Sequence, residues 1–101
     1  MNLIILKLAR NDLHEIHNYL SEFGLNPQIK FKESFKSFCL RVIDTPYLYA
    51  RYEPDPKYRK AVIEYNYLVF YVVDENNSKI KIYRVLHGKR DASAFLNTDK
   101  S

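Results

Sequence analysis

The spacing of apolar positions changes along this chain, and each change marks an element. Leu3 to Leu6 is an unbroken apolar run containing Ile4 and Ile5, the pattern of a buried strand. Ala9, Leu13, Ile16, Leu20 and Phe23 then recur at steps of four and three, which is one face of a helix. Gly24 falls where that helix would be capped, because glycine takes left-handed backbone without a Cβ penalty. Asn26-Pro27 predicts a second helix start, with a capping side chain followed by proline in the first turn. Phe31, Phe35, Phe38 and Val42 repeat the helical step, with Cys39 on the shoulder of the stripe as an inert thiol. Asp44-Thr45-Pro46 ends the run, since the ring disfavours helix at the residue before it. The linker between the two helices is so short that they are expected to pack as an antiparallel hairpin.

Beyond Pro46 the period disappears. Residues 47–57 mix Tyr47, Tyr49 and Tyr52 with Arg51 and two further prolines, which reads as a loop. Its tyrosines are expected to cover the end of a sheet, although aromatics beside a cation also stack on bases or grip peptides. Three strand-like runs follow, over residues 58–63, 67–73 and 79–86. Asp74 to Ser78 supplies turn chemistry between the last two. In the final run Ile80 and Ile82 alternate with Lys79 and Lys81, placing the isoleucines inward. Strict alternation also puts Arg84 on the face of Ile80, Ile82 and Leu86, so it needs a buried acceptor, and Glu64 or Asp91 is the expected one. Gly88 ends the strand, and Asp91 is expected to cap a last helical turn with Phe95 and Leu96. The predicted class is α+β in the order β-α-α-β-β-β, a helical hairpin packed on a small, mostly antiparallel sheet. One domain is expected over residues 1–101.

Charge and composition sharpen this picture in three ways. The net charge is +4, but residues 1–44 carry six Lys/Arg against five Asp/Glu, and residues 45–91 carry nine against six. The more basic half suits an anionic partner, either nucleic acid or an acidic protein segment. Cys39 is the only cysteine, so no internal disulfide can form, which fits a reducing cytoplasm. Lys7 and Arg10 cut short the N-terminal apolar run, no small-residue cleavage site follows, and no membrane-spanning run is present, so neither signal peptide nor membrane association is expected. His14 and His17 lie one helical turn apart without an obvious third ligand, so no metal site and no cofactor are expected.

Three segments, in order, resemble the RelE/ParE toxin superfamily. Ala9 with Asp12-Leu13-His14-Glu15-Ile16-His17-Asn18-Tyr19 is similar to its "A-x-x-D-L-x-x-I-x-x-Y" first helix. Tyr58-Arg59-Lys60 followed by Tyr67-Leu68-Val69-Phe70-Tyr71-Val72 resembles its second and third strands. Ile82-Tyr83-Arg84-Val85-Leu86-His87-Gly88-Lys89-Arg90 is similar to the "I-x-R-V-L-H-G-x-R" ending of ParE-type members. The resemblance implies the toxin half of a type II toxin–antitoxin pair, silenced by a cognate antitoxin and forming homo-oligomers within that complex. It implies either a ParE-like inhibitor of DNA gyrase or a RelE-like endonuclease that cuts messenger RNA on the ribosome.

The residues favour the first. Cleaving RNA through its 2′-hydroxyl needs a base, an acid and cations around one phosphate. The basic residues that the RelE resemblance implies are Lys57, Arg59, Lys60 and Arg90, with His87 as a possible proton carrier. Tyr67 replaces the expected third-strand arginine, and the C-terminal tyrosine position falls near Phe95 or Leu96, which transfer no proton. The expectation is therefore a binding toxin whose contacts to target or antitoxin come from Arg59, Lys60, Arg84, His87, Lys89 and Arg90. An amphipathic acidic antitoxin segment would lie in a groove beside the hairpin or add a strand to the sheet edge.

Overall fold

The computed structural model describes residues 1–96. Its elements are β1 (Asn2–Ile5), α1 (Lys7–Ser21), α2 (Leu25–Asp44), β2 (Arg59–Ile63), β3 (Tyr67–Asp74), β4 (Lys79–His87) and α3 (Ala92–Leu96). The sheet order is β1-β4-β3-β2, with β1 parallel to β4 and the other pairs antiparallel. The last strand thus returns beside the first, and the α1–α2 hairpin packs on one face of the sheet, α1 against β4 and α2 reaching β2.

The helical stripes meet the inward residues of the strands. Ile16, Leu20, Phe31, Phe38 and Val42 are buried against Val69, Tyr71, Ile80, Ile82 and Val85. Burying a side chain of this size stabilises the fold by about 1.5–3 kcal/mol. Tyr49, from the irregular segment, packs on both Phe38 and Tyr71, at ring-centroid distances of 5.6 and 6.3 Å. Tyr52 instead meets Phe70 on the opposite face, at 5.1 Å. Those two tyrosines do close the end of the sheet. Burial raises the Cys39 thiol to about 11, so it stays protonated near neutrality.

Several local expectations need correcting. Gly24 does not lie in the left-handed helical region; at φ 105° and ψ −178° it precedes α2 in a conformation open to glycine, and it contributes no side-chain cap. The second helix already begins at Leu25, so Asn26 lies inside its first turn and is not the cap, while Pro27 sits where the amide has no intrahelical partner anyway. Phe23 lies past the end of α1 and is 63% exposed, outside the buried stripe.

The largest departure is in β4. Phe70 pairs with Arg84 but Tyr71 pairs with Ile82, so Tyr83 is the extra residue of a β-bulge. The bulge shifts the alternation beyond it. Val85 turns to the hairpin side, and Leu86 turns to a second buried cluster with Tyr58, Phe70, Ala92 and Leu96. Arg84 and Leu86 pair with Phe70 and Leu68 and so share that second face, not the face of Ile80 and Ile82 as simple alternation predicts. The small helix α3 covers this second cluster, giving the C-terminal half of the sheet a core on both faces.

Candidate functional site

The site begins with a gap in the sheet. β1 pairs with β4 only as far as Ile5 opposite Ile82, and the chain then turns into α1. Beyond that point the outer edge of β4 needs other partners for its backbone groups. Asp12 of α1 supplies one by accepting the Val85 N–H at 2.9 Å. The same carboxylate binds Arg84 twice, from Nε at 2.8 Å and Nη2 at 2.9 Å. Arg84 is 8% exposed and also donates from Nη1 to the Phe95 carbonyl at 3.2 Å. The expected buried acceptor is thus Asp12, not Glu64 or Asp91. Arg84 ties α1, β4 and α3 together and so orients the segment that follows.

That segment, residues 87–90, is held from two sides. Gly88 N–H donates to the Asn66 carbonyl at 2.8 Å, and Arg90 N–H donates to the His87 carbonyl at 2.9 Å. A Cβ on Gly88 would collide with the Asn66 side-chain amide, so glycine permits the close approach. Asn66 and Tyr65 both hold left-handed backbone, with φ of 60° and 62°. Tyrosine in that region costs about 1–2 kcal/mol. Asparagine tolerates it better.

His87 stands edge-on to Tyr67, with centroids 5.1 Å apart, and its Nδ1 accepts the Lys89 N–H at 3.2 Å. In the neutral ring this leaves the proton on Nε2. Burial foremost, then Tyr19, raises the Tyr67 phenol above its ordinary range, with Arg90 opposing, so it is a neutral hydroxyl at physiological pH. The Arg90 guanidinium lies over the Phe95 ring at 5.0 Å. Glu15, Tyr19, Tyr67, His87, Lys89 and Arg90 surround a cleft of about 500 Å³. Next to it is an apolar recess of about 380 Å³ between Tyr19, Phe23, Pro27 and Tyr65. Tyr19, Tyr67 and His87 border both, so the two form one groove with a basic end and an apolar end.

The other expected cations are elsewhere. Arg59 donates to the Tyr49 carbonyl at 2.7 Å and covers the Tyr47 ring at 4.9 Å. Lys57 lies over Tyr58 at 5.0 Å, and Lys60 over Tyr52 at 5.9 Å. Tyr47 in turn donates to Glu75. Arg59 and Lys60 are consecutive on β2, so they point to opposite faces of the sheet. His87 is level with Tyr67 and Ile63 in the register, which puts Arg59 about 13 Å further along the strands. The sequence-derived set is therefore split. His87, Lys89 and Arg90 share a groove; Lys57, Arg59 and Lys60 lie at the far end of β2; Arg84 is internal. Among the described residues no cluster of three metal-ligating side chains exists, and His14 and His17 instead contact Asn18 and Gln28.

Sequence reasoning missed Tyr19, Phe23, Pro27 and Tyr65 as a lining. The available signals were weak ones, an aromatic residue just before Gly24 and a Tyr-Asn pair between two strand runs.

Comparison with known proteins fits this architecture. In the isolated RelE toxin of E. coli the chains superpose with a TM-score of 0.63 at 13% identity, covering 98% of this chain and 96% of that one. The chromosomal ParDE toxin–antitoxin system of P. aeruginosa gives 0.61 at 18% identity, covering 86% of this chain and 95% of that one. No curated protein sequence matches. The model of the family described as the ParE toxin of the type II toxin–antitoxin system parDE matches residues 3–92, which takes in both long helices, all of the sheet but Asn2, and the His87–Arg90 segment. The chain belongs to the ParE toxin family of type II toxin–antitoxin systems, and a toxin of this kind has an antitoxin as its partner.

Proposed function

We propose that this toxin stops growth by binding DNA gyrase in the cytoplasm through the basic segment after β4, without making or breaking a covalent bond. Lys89 and Arg90 are the contact residues, and His87 and Arg84 fix their position. The whole of residues 1–101 acts as one toxin domain, needs no cofactor, and assembles with its antitoxin into a higher oligomer. The observation that supports this reading is the separation of the cations. RNA cleavage requires base, acid and cations at one phosphate. Here Lys57, Arg59 and Lys60 are an element's length from His87 and Arg90. Binding needs no such convergence.

A second reading has one observation in its favour. His87 sits in a cleft with Lys89 and Arg90, a minimal set for acting on ribosome-bound messenger RNA. The two readings part in a single experiment on the purified chain. Inhibited supercoiling by gyrase, with ribosome-bound message left intact, is the expected result. Ribosome-dependent cleavage that disappears in His87→Ala, with gyrase unaffected, would overturn the proposal.

A further inference from the structure

We infer that the polar cavity at the corner of the sheet, beyond the start of β2, binds the terminal phosphate of a nucleotide through Arg51, Lys57 and Arg59. The site lies at the opposite end of the sheet from the His87–Arg90 groove and is independent of gyrase.

The corner exists because two neighbouring strands end at different levels. β2 starts at Arg59, opposite Tyr71, whereas β3 runs on to Asp74. Past Tyr71 the β2 side of β3 has no strand partner, and Tyr47, Arg51 and Lys57 of the preceding loop line the gap. An open cavity of about 410 Å³ results. Its cations come mainly from the loop and β2, and its carboxylates, Asp74 and Glu75, from the end of β3 and the turn after it.

The fold gathers this positive charge against electrostatic preference. Arg51 and Arg59 are antiparallel bridge partners, and like charges placed directly opposite each other repel. The ion pairs among the described residues join Lys81 to Asp74 and Arg84 to Asp12, so none of Arg51, Lys57 and Arg59 is paired with a carboxylate there. Both arginines are nevertheless held in place. Arg51 Nη1 donates to the Pro56 carbonyl at 2.8 Å, and Arg59 Nη1 to the Tyr49 carbonyl at 2.7 Å. A guanidinium carries five N–H donors in a fixed fork, so each keeps donors for an oxyanion. Side chains already held lose less entropy on binding. The two charges also converge. The hydrogen bond to Glu75 raises the Tyr47 phenol above its ordinary range, and Arg59 and Arg51 both oppose that rise.

The rest of the lining narrows the ligand. Hydrogen bonds from Asn77 and Lys81 hold the Asp74 carboxyl below its ordinary range, so it is an ionised acceptor. An acidic peptide would meet repulsion from Asp74 and Glu75, and a bare oxyanion would leave their side of the cavity unused. A nucleotide suits both sides, with phosphate on the cations and sugar hydroxyls or ring amino groups donating to the carboxylates. Val72 and Tyr83, the latter re-aimed by the β4 bulge, add a small apolar contact.

The test titrates the isotope-labelled full chain with adenosine 5′-monophosphate, following backbone amide shifts by nuclear magnetic resonance. Shifts are expected in residues 47–59 and 72–83, with adenosine binding about tenfold or more weakly. A tetra-adenylate with a 5′-phosphate separates the two sources of such a group: tighter binding than the monophosphate assigns the end of a strand, weaker binding a free nucleotide. Arg51→Gln should weaken the monophosphate about tenfold and leave the urea midpoint of the ligand-free chain unchanged or higher, because a like-charge contact is relieved. Arg59→Lys keeps the charge but loses the fork, and should weaken binding as well. Arg90→Ala should bind nucleotide as the parent does. The inference is overturned by adenosine binding as well as its monophosphate, by affinities weaker than about 1 mM for every phosphate probe, or by shifts confined to residues 87–90. Equal binding of the tetra-adenylate without its 5′-phosphate, or a hexaglutamate peptide that binds more tightly, would do the same. An Arg51→Gln chain with a lower midpoint and full nucleotide affinity would make Arg51 structural and also defeat it.

Discussion

Asp12 holds Arg84 through both carboxylate oxygens and accepts the Val85 N–H as well, so one side chain on α1 fixes the edge of β4. Removing it would leave a mostly buried guanidinium without its counter-charge and a strand amide without its acceptor. Asp12→Ala is expected to cost about 3–5 kcal/mol of unfolding free energy, measured by urea denaturation. Replacing the pair together, as Asp12→Leu with Arg84→Met, should cost clearly less than the single change, because no charge is then stranded. It should not reach zero, since the Val85 N–H and the Phe95 carbonyl each lose a partner worth about 1 kcal/mol. Equal losses in the single and paired variants would show that the ion pair is not what anchors β4. The need for a buried acceptor at Arg84 is legible in the sequence from its place among apolar residues. Its identity is not, because the partners lie 72 positions apart and no periodicity connects them.

At the scale of elements, periodicity read the helices and strands correctly, and capping and bulges were where it failed. Phe31, Phe38 and Val42 declare α2 by their spacing and are buried as that spacing requires. Nothing in Ile82-Tyr83-Arg84 announces a bulge, because the extra residue is defined by the partner strand. The turn between β2 and β3 was equally hidden, since the sequence reads as a short break while the backbone takes two successive left-handed residues. That turn supports a prediction of its own. Tyr65→Asn puts a residue that tolerates left-handed backbone at φ 62°, so the protein should be as stable as the parent or more stable by up to about 1 kcal/mol. The same change removes one aromatic wall of the recess and should weaken antitoxin binding. Urea unfolding and a binding titration on the same preparation check both halves. A variant that loses stability and binding together would mean that Tyr65 serves packing alone.

Over the whole molecule, the β-α-α-β-β-β order and the more basic C-terminal half were legible, whereas the distribution of that charge was not. A linear reading groups Lys60 with Arg90 because both flank strands in the same half of the sequence. The fold sends Lys60 to the far face of β2 and Arg90 to the groove beside α1. Groups that far apart, sharing no partner, act independently, usually to within about 0.5 kcal/mol. The effects of Lys60→Ala and Arg90→Ala on target inhibition should therefore add in the double variant, each measured as the free-energy change in the inhibition constant. A cleavage centre behaves otherwise, because losing one member of a cooperating set leaves little for a second loss to remove. A coupling well above 0.5 kcal/mol between these positions, roughly twice that or more, would mean that one ligand spans both ends of the sheet, and the binding toxin drawn here would have to give way to a larger composite site.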